Sequence, residues 1–372
     1  MKQGYKVSVV TGIPNYPEGR FYRGYGYLKR RSEKWNGIMI LRLPIIARGK
    51  STLGMILNYF SFVVSGYFWK CFTKIKADYV FIFEVSPMTQ ALVGVWYAKK
   101  HKIPNYLYVQ DLWPENVKMV TGIHSPMIIR PIEKMVDYIY KNCNEIFATS
   151  PGSAKAICSR GFAKEKVHYW PQYAEDFYRP LKYKSVPEIE EEEVYKIIFT
   201  GNIGYAQGLD ILPKTAKLLK VDGCKVKFYI VGDGRYKEEL CKEIKERNVE
   251  DMFVMIGRKP AERIPELLAV CDVAFLSFQK SAAFSMTIPA KLQSYMACGI
   301  PILAVADGEA KRIVEEADCG MVCRLGDAGE LKDTIIALMK ETRMDIYGRN
   351  ARKYYRKNFD KKKLFEEIEK YF

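Results

Sequence analysis

The sequence predicts an α/β protein with two doubly wound, parallel-sheet domains. Short apolar segments of strand type alternate with helical segments in the first half, with strands expected at 79–84, 105–110 and 145–150. The alternation continues in the second half, where 226–232 and 253–257 have the same character. The length of 372 residues agrees with two domains, because it exceeds what one hydrophobic core usually serves.

We expect the chain to divide into residues 1–180, residues 181–350 and a terminal helix over 351–372 that returns to the first domain. The boundary is placed in a linker at 180–194, because an acidic run at 190–193 lies there. Such a run is predicted to be solvated and mobile. The first predicted strand, at 7–10, is expected to follow the end of a helix and a turn at Gly4, and the strand that ordinarily precedes such a helix in an α/β domain is missing.

The net charge of +16 is unevenly distributed along the chain. Residues 1–180 hold 26 basic and 12 acidic side chains, whereas residues 181–372 hold 33 and 31. Nucleic acid, an anionic membrane and a plain solvated surface all explain a basic half. We favour the membrane, because aromatic and aliphatic residues crowd the same half and no nucleic-acid motif is visible.

The sparse set of metal-ligating side chains favours chemistry without a metal. There are three histidines and no Asp-x-Asp, and the nine cysteines lack the spacing of a zinc site. An odd number of cysteines without a pairing pattern indicates a reduced, cytosolic protein, and no signal peptide is recognised. We therefore expect neither a metal site nor a cofactor.

Residues 53–72 are the most apolar segment of the chain. Polar residues, among them Asn58 and Lys70, interrupt the segment, so it is a poor candidate for spanning a membrane. A helix buried in the core and a helix at the membrane interface both remain open.

A glycine-rich turn at 201–208 is the main candidate for a ligand site. It follows an apolar strand at 197–199 and precedes a helix, and it contains Gly201, Gly204 and Gly208. Glycines allow backbone N–H groups to converge on an anion, and the N-terminus of a helix adds attraction. The turn is therefore predicted to bind a diphosphate, although a strand–turn–helix of this kind also serves as a plain packing device.

Lys291 is the second candidate, because it lies in the first turn of a predicted helix. A cation there opposes the helix dipole unless an anion neutralises it. Lys291 is thus predicted to bind phosphate, the alternative being a lysine that extends into solvent.

In the first half, Asp111 and Glu115 follow a strand at its carboxyl end, where open parallel sheets place ligands. Carboxylates in that position suit general-base or hydroxyl-binding work. A helix N-cap is the alternative for Asp111. The loop at 12–24, rich in glycine, proline and aromatic residues, also follows a strand and is either a ligand loop or an ordinary excursion.

The motifs GNIGYAQG at 201–208, GDG at 232–234, GR at 257–258 and PAKLQSYMACGIPI at 289–302 together resemble glycosyltransferase family 4. In the first half, NYPEG at 15–19, QDLWPE at 110–115 and TSPGSAKAI at 149–157 resemble the fucosamine-type branch that builds bacterial capsule and O-antigen units. The resemblance implies the GT-B architecture, in which two Rossmann-like domains face a cleft.

The resemblance, with the strand-end positions above, assigns roles residue by residue. The expected catalytic residues are Lys291, Asn202, Asp111 and Glu115. The expected nucleotide-sugar contacts are Gly201, Asn202, Gly204, Gln207, Gly232, Asp233, Gly234, Arg258, Thr287, Lys291, Gln293 and Ser294. The expected acceptor contacts are Asn15, Tyr16, Asp111, Trp113 and Glu115.

The implied function is a retaining, metal-independent glycosyltransferase that acts on surface polysaccharide. It would move a hexose or N-acetylated amino sugar from a UDP-sugar to a polyprenyl-diphosphate-linked saccharide, peripherally on the cytoplasmic face of the membrane. A non-hydrolysing sugar-nucleotide epimerase, which shares the GT-B architecture, and a truncated, non-catalytic nucleotide-sugar-binding partner are the alternatives.

Two departures from the family pattern qualify these roles. Many members carry a pair of glutamates where this chain has Thr287 and Ser294, and Gln293 is then expected to make the ribose contact. Relatives also open with a strand and a glycine-rich loop that this chain is expected to lack.

Overall fold

A computed structural model describes residues 4–49, 51–162, 164–182 and 185–372. The chain divides into two compact units. Unit 1 is Met1–Ala148 with Ile157–His168, and unit 2 is Thr149–Ala156 with Tyr169–Phe372. The division falls before residue 180, so the three-part layout derived from the sequence stays a prediction.

Unit 1 begins with three strands, and helices and strands then follow in alternation. Its elements are β1 Ser8–Gly12, β2 Ser32–Trp35, β3 Ile38–Leu43, α1 Thr52–Phe72, β4 Val80–Glu84, α2 Ala91–His101, β5 Asn105–Val109, α3 Glu115–Thr121, α4 Pro126–Lys141 and β6 Glu145–Ala148. Helix α5, Pro151–Cys158, and strand β7, Val167–Tyr169, each continue across the division between the units.

The described strands of unit 1 form two sheets, with orders β1-β3-β2 and β4-β5-β6-β7. Strand β1 is at the edge of the first sheet and β4 is at the edge of the second. Tyr5 precedes β1 and Tyr79 precedes β4, and the centroids of their rings lie 6.2 Å apart.

The antiparallel pair β2–β3 was not predicted. It turns at Asn36 and Gly37, which both have positive φ, a sequence signal for a tight hairpin.

Helix α1 is packed on one side and exposed on the other. Trp69 stacks on Tyr97 of α2 with ring centroids 5.1 Å apart, and Gly66 packs against Val93 of α2. The opposite side exposes a stripe of apolar side chains. It consists of Leu53, Ile56, Leu57, Phe60, Val64, Phe68 and Phe72. In the described part of the chain, no helix is long and apolar enough to cross a membrane.

Unit 2 is a doubly wound domain around one parallel sheet. Its elements are β8 Tyr195–Thr200, α6 Ile211–Val221, β9 Val226–Val231, α7 Lys237–Glu246, β10 Phe253–Gly257, α8 Ile264–Leu268, β11 Val273–Ser277, α9 Ala282–Ser285, α10 Ala290–Cys298, β12 Ile302–Val305, α11 Gly308–Glu316, β13 Gly320–Cys323, α12 Ala328–Met339, α13 Met344–Asn358 and α14 Lys361–Ile368. The described strands have the order β10-β9-β8-β11-β12-β13.

Side chains of successive residues in the unit 2 strands pack into different hydrophobic clusters, as expected when helices cover both faces of a sheet. Ile198 belongs to one hydrophobic cluster, and Ile197 and Phe199 belong to the other. The strand order reverses between β8 and β11. Ligands of doubly wound sheets bind at such a reversal, beyond the carboxyl ends of the strands.

Part of the predicted linker at 180–194 is packed into unit 2; its residues 183 and 184 lie outside the described residues. Val186 and Ile189 are buried in a core of unit 2. Between them, Glu188 pairs with Arg263 and Lys259, each at 3.0 Å. Hydrogen bonds from Arg263 and then Lys259 lower the pKa of Glu188 to about 2. In the acidic run itself, Glu190, Glu191 and Glu193 are exposed, which agrees with the expected solvation, and the mobility of the run stays a prediction.

The C-terminal helices lie in unit 2. Helix α13 approaches α10 so closely that a Cβ on Gly348 would lie 2.4 Å from the Gly299 oxygen. The indole of Trp170 donates a hydrogen bond of 2.8 Å to the Leu364 oxygen in α14. Residue 170 was assigned to the first domain from the sequence and lies in unit 2 by its contacts.

Candidate functional site

Two glycine turns of unit 2, residues 201–204 and 232–234, interlock through their backbones. The Gly201 N–H donates to the Val231 oxygen at 2.9 Å, and the Ile203 N–H donates to the Asp233 oxygen at 2.8 Å. A Cβ on Gly232 would lie 1.8 Å from the Gly201 oxygen, so no side chain fits there. The two amides are therefore engaged within the protein and are not available to an anion.

The side chain of Asn202, which belongs to the first turn, lies close to Gly204 and Gly234. An added Cβ on Gly204 would be 2.8 Å from its Nδ2, and one on Gly234 would be 2.8 Å from its Oδ1. The side chain of Asn202 is exposed and so is accessible to a ligand. The sequence predicted both turns as ligand-binding, but it did not indicate that they contact each other.

Lys291 reaches back from the first turn of α10 to the glycine turn. Its Nζ lies 3.9 Å from the centroid of the Phe199 ring and donates a hydrogen bond to Oε1 of Gln207. A Cβ on Gly201 would be 3.4 Å from the same Nζ. The structure thus brings together three residues predicted to contact phosphate: Gly201, Gln207 and Lys291.

Burial lowers the pKa of the Lys291 ammonium from its usual value near 10.5 to about 7. Within the described residues, no carboxylate forms an ion pair with Lys291 that would oppose this effect of burial. The alternative of a lysine extended into solvent does not agree with this placement. A partly buried cation without a counter-ion is suited to bind an anion.

Tyr295 is a positioning residue that the sequence did not reveal. It is fully buried one turn after Lys291, and its hydroxyl oxygen accepts a hydrogen bond of 2.9 Å from the Thr200 N–H. Thr200 immediately precedes Gly201, so this bond ties helix α10 to the end of β8. A tyrosine in an apolar helix pattern is usually a core residue, and only its distant partner shows this role.

Ser277, at the end of β11, fixes the other side of the turn. Its hydroxyl donates a hydrogen bond of 2.5 Å to the Gln207 oxygen. Beyond it, the Gln279 N–H donates to the Ala206 oxygen at 3.1 Å. The glycine turn is therefore held from both β8 and β11, at the point where the strand order reverses.

The other predicted nucleotide-sugar contacts differ in how accessible they are. Asp233 and Arg258 are exposed at the ends of β9 and β10. Thr287 and Ser294 donate hydrogen bonds to Ala283 and Ala290 oxygens, at 2.9 and 3.1 Å.

Gln293 does not fit the ribose contact expected for it. Its side chain is fully buried in unit 2, and its Nε2 donates a hydrogen bond of 2.8 Å to the Gln172 oxygen. Gln293 lies on the buried side of α10 and contacts the segment around Gln172, so it is not exposed to a ribose as predicted.

In unit 1, the predicted acceptor residue Asn15 is buried and makes two hydrogen bonds, one within its loop and one to a distant segment. Its Nδ2 donates to the Ile13 oxygen at 2.9 Å, and its Oδ1 accepts from the Arg48 N–H at 3.0 Å. These bonds indicate a structural role rather than the predicted direct contact. Its neighbour Tyr16 is exposed over 68% of its surface and is accessible.

Asp111 and Trp113 both contact Ser86, which follows β4. Oδ2 of Asp111 accepts a hydrogen bond of 2.9 Å from the Ser86 N–H, and the Trp113 indole donates to the Ser86 Oγ at 3.1 Å. Helix α3 begins at Glu115 with Pro114 as its N-cap, so Asp111 is not the cap that the alternative proposed. Asp111 and Trp113 thus lie on the loop beyond β5, and Glu115 is the first residue of the helix that follows.

Glu84 is a further candidate that the sequence analysis passed over. It ends β4 with a fully buried side chain, and the Asp111 N–H approaches its Oε2 at 3.4 Å. Burial, and secondly the charge of Asp111, raise the pKa of Glu84 well above its usual value. A carboxyl at the end of an otherwise apolar strand, 80–84, was the available signal.

The described residues contain no group of three or more acidic, histidine or cysteine side chains that could hold a metal ion. Metal independence itself stays a prediction.

Residues 184–358 match the family model described as Glycosyl transferases group 1. This segment is a glycosyltransferase group 1 domain. It contains both glycine turns and Lys291, so the site described in unit 2 lies within the matched domain.

Relatives and a solved structure extend the likeness beyond the group 1 domain. The putative colanic acid biosynthesis glycosyl transferase WcaI of Escherichia coli is 23% identical over 98% of this chain and 91% of its own length. N-acetyl-alpha-D-glucosaminyl L-malate synthase of Bacillus anthracis is 26% identical, but the match spans only 43% of this chain and 40% of that protein.

The solved structure of Anabaena Alr3699/HepE, in complex with UDP, has a TM-score of 0.67 with 17% identity, over 89% of this chain and 85% of that one. The likeness confirms the predicted fold class, an α/β protein with two Rossmann-like domains of GT-B type. The assignment to family 4 and to the fucosamine-type branch stays a prediction.

Two glycine substitutions should separate ligand binding in the group 1 domain from folding. Gly204 has a φ of −121°, which any residue adopts, and an added Cβ meets only the movable Asn202 side chain. Gly204→Val should therefore weaken UDP binding at least tenfold, measured by calorimetry, with an unchanged melting temperature.

Gly234→Ala is the contrasting variant, because its φ is +159° and its Cβ would lie 2.1 Å from the Ile203 oxygen. Backbone strain of this kind costs about 1–3 kcal/mol, so the melting temperature should fall. Unchanged UDP affinity in a folded Gly204→Val variant would place the diphosphate site elsewhere.

Proposed function

We propose that this chain is a retaining, metal-independent glycosyltransferase that uses a UDP-sugar. The observation that carries the proposal is the Lys291 ammonium, which is partly buried and lies against the glycine turn without a carboxylate partner in the described part of the chain. A nucleoside diphosphate supplies the anion that such a cation lacks.

In the proposed reaction, the bond between the sugar C1 and the diphosphate oxygen breaks. The acceptor hydroxyl oxygen then bonds to C1 on the same face, and its proton passes to the departing diphosphate. Negative charge develops on the diphosphate as it leaves, and Lys291 and the exposed Asn202 would stabilise that charge. Asp111 and Glu115 would bind the acceptor hydroxyl, and Tyr16 and Trp113 would contact the acceptor saccharide.

Names and ligands of similar proteins support the choice of substrates. HepE is in complex with UDP, and the WcaI name refers to colanic acid biosynthesis. A hexose or an N-acetylated amino sugar is therefore the proposed donor group, and a growing surface polysaccharide, such as a capsule or O-antigen unit, is the proposed product.

A lipid-linked acceptor and peripheral contact with the cytoplasmic face of the membrane complete the proposal. The exposed apolar stripe of α1 is favourable for insertion between lipid headgroups. The excess of basic residues in the first 180 positions adds attraction to anionic lipid.

Sugar transfer to a polyprenyl-diphosphate-linked saccharide, from radiolabelled UDP-glucose or UDP-N-acetylglucosamine, tests the proposed reaction. Lys291→Met keeps the volume of the side chain and removes its charge. It should lower turnover or donor affinity by about ten- to a hundredfold, since a hydrogen bond to a charged group contributes about 1.5–3 kcal/mol. Lys242→Met, an exposed lysine on α7, is the matched control and should retain activity.

Other outcomes of the same assay separate the competing functions. Wild-type activity in Lys291→Met would show that the charge is not used. Loss of activity in EDTA would contradict the metal-independent mechanism. Conversion of the UDP-sugar to its epimer without acceptor would indicate an epimerase, and binding of UDP-sugar without turnover would indicate a non-catalytic partner.

Vesicle co-sedimentation tests the membrane contact. Binding should increase with the fraction of anionic lipid and decrease with salt. Phe60, Phe68 and Phe72 are exposed by 64, 57 and 79%, so changing all three to Ser should remove the salt-resistant part of binding without unfolding the protein. Val221→Ser, an exposed apolar position of unit 2, is the control. Wild-type protein that ignores anionic vesicles at low salt would contradict the contact.

A further inference from the structure

Arg48 of unit 1 is held between two tyrosine rings without a counter-ion. Its guanidinium carbon lies 5.3 Å from the Tyr16 ring centroid and 5.9 Å from the Tyr59 ring centroid. Its Nη2 lies 3.2 Å from the Met55 sulfur, a weak acceptor. Across the residues that the structure describes, Arg48 forms no ion pair with a carboxylate.

Arg42, another arginine over a tyrosine in the same unit, shows the contrasting arrangement. Its guanidinium carbon lies 4.9 Å from the Tyr25 ring centroid, but its Nη2 also pairs with Glu33 at 2.5 Å. Arg42 is buried and neutralised, as expected of a structural arginine. Arg48 has the aromatic contacts of such a residue and lacks the anion.

The loop around Arg48 is fixed by hydrogen bonds. The Arg48 N–H donates to Oδ1 of Asn15 at 3.0 Å, and the Gly49 N–H donates to the Gly19 oxygen at 2.8 Å. Residues 15–19, the NYPEG motif, are thereby attached to the segment that carries Arg48. The buried Asn15 holds the backbone of Arg48, and its neighbour Tyr16 supplies one of the rings.

Arg48 also lies close in the chain to the exposed apolar stripe. Helix α1 begins at Thr52, and Leu53 and Ile56 of its first turns are exposed by 66 and 42%. Ile46, two residues before Arg48, is exposed by 45%. An unpaired guanidinium among apolar side chains matches a ligand that joins an anion to a hydrocarbon chain.

We propose that Arg48, clamped by Tyr16 and Tyr59, binds the diphosphate of the lipid-linked acceptor. The proposal rests on the proposed function and names the part of the acceptor that unit 1 recognises. The planar guanidinium donates two parallel hydrogen bonds to phosphate oxygens, and the tyrosine rings keep its plane oriented. Asn15 is the positioning residue, and the isoprenoid chain lies along the exposed stripe of α1.

Binding of farnesyl diphosphate, measured by calorimetry with saturating UDP, tests the proposal without requiring turnover. The added UDP fills the diphosphate site of the group 1 domain. Wild-type protein should bind farnesyl diphosphate, and Arg48→Gln should bind it at least tenfold more weakly at an unchanged melting temperature. Arg48→Lys should restore part of the affinity, because it keeps the charge without the planar fork.

Arg20→Gln is the matched control, since Arg20 is exposed and paired with Glu18 at 3.0 Å. It loses the same charge and should bind farnesyl diphosphate as the wild type does. Equal weakening in both variants would mean that only general attraction is involved, and it would overturn the proposal. Wild-type protein that does not bind farnesyl diphosphate would also overturn it.

Two further measurements are needed. One distinguishes the acceptor diphosphate from a lipid headgroup as the ligand of Arg48, and the other distinguishes failure of this proposal from failure of the proposed function. Binding of Arg48→Gln to phosphatidylglycerol vesicles should equal that of the wild type; a loss there, with farnesyl diphosphate binding retained, would assign Arg48 to lipid headgroups and overturn the proposal. Arg48-dependent binding of farnesyl diphosphate without any sugar transfer would overturn the proposed function and leave the diphosphate site standing.

Discussion

The site in unit 2 depends on one unfavourable arrangement, a partly buried lysine ammonium that has no carboxylate partner among the described residues. Burial alone lowers the pKa of Lys291 to about 7, and a nearby carboxylate would have opposed that shift. The contacts with the Phe199 ring and the Gln207 amide orient the ammonium but do not neutralise it. A diphosphate in the glycine turn would provide the missing negative charge, so a bound ligand would also stabilise the charged form of Lys291.

The surrounding fold maintains that arrangement. The Tyr295 hydroxyl ties α10 to Thr200, and the Ser277 hydroxyl ties β11 to Gln207. The second glycine turn supports the first, since no side chain fits at Gly232. Lys291 is thus positioned by α10, β8 and β11. These elements are far apart in sequence and meet where the strand order reverses.

Much of this could be predicted from the sequence, because hydrophobic periodicity and glycine positions are local signals. All predicted strands of unit 2 are present, and the glycine turn and Lys291 lie together as expected. The hairpin β2–β3 also has a local signal, the Asn36-Gly37 pair, although it was not predicted.

Predictions about individual polar side chains were less reliable, because hydrogen-bond partners are chosen across the fold. Gln293 was expected to face a ribose but donates to the Gln172 oxygen inside the core. Asn15 was expected to contact the acceptor but holds the Arg48 backbone. Glu188, just before the acidic run, pairs with Lys259 and Arg263, which was not predicted. In each case, the partner lies in another segment and no local pattern indicates it.

The pKa of Lys291 itself, measured by NMR with ¹³C-labelled lysine and assigned by comparison with Lys291→Met, tests the central claim most directly. In the free protein this pKa should be near 7, and it should rise when UDP binds because the diphosphate favours the charged form. Its contribution to UDP affinity should therefore be largest below about pH 7 and decrease as pH rises from there to the pKa of the complex. A pKa near 10.5 that UDP leaves unchanged would contradict the claim, because Lys291 would then be a solvated lysine away from the diphosphate.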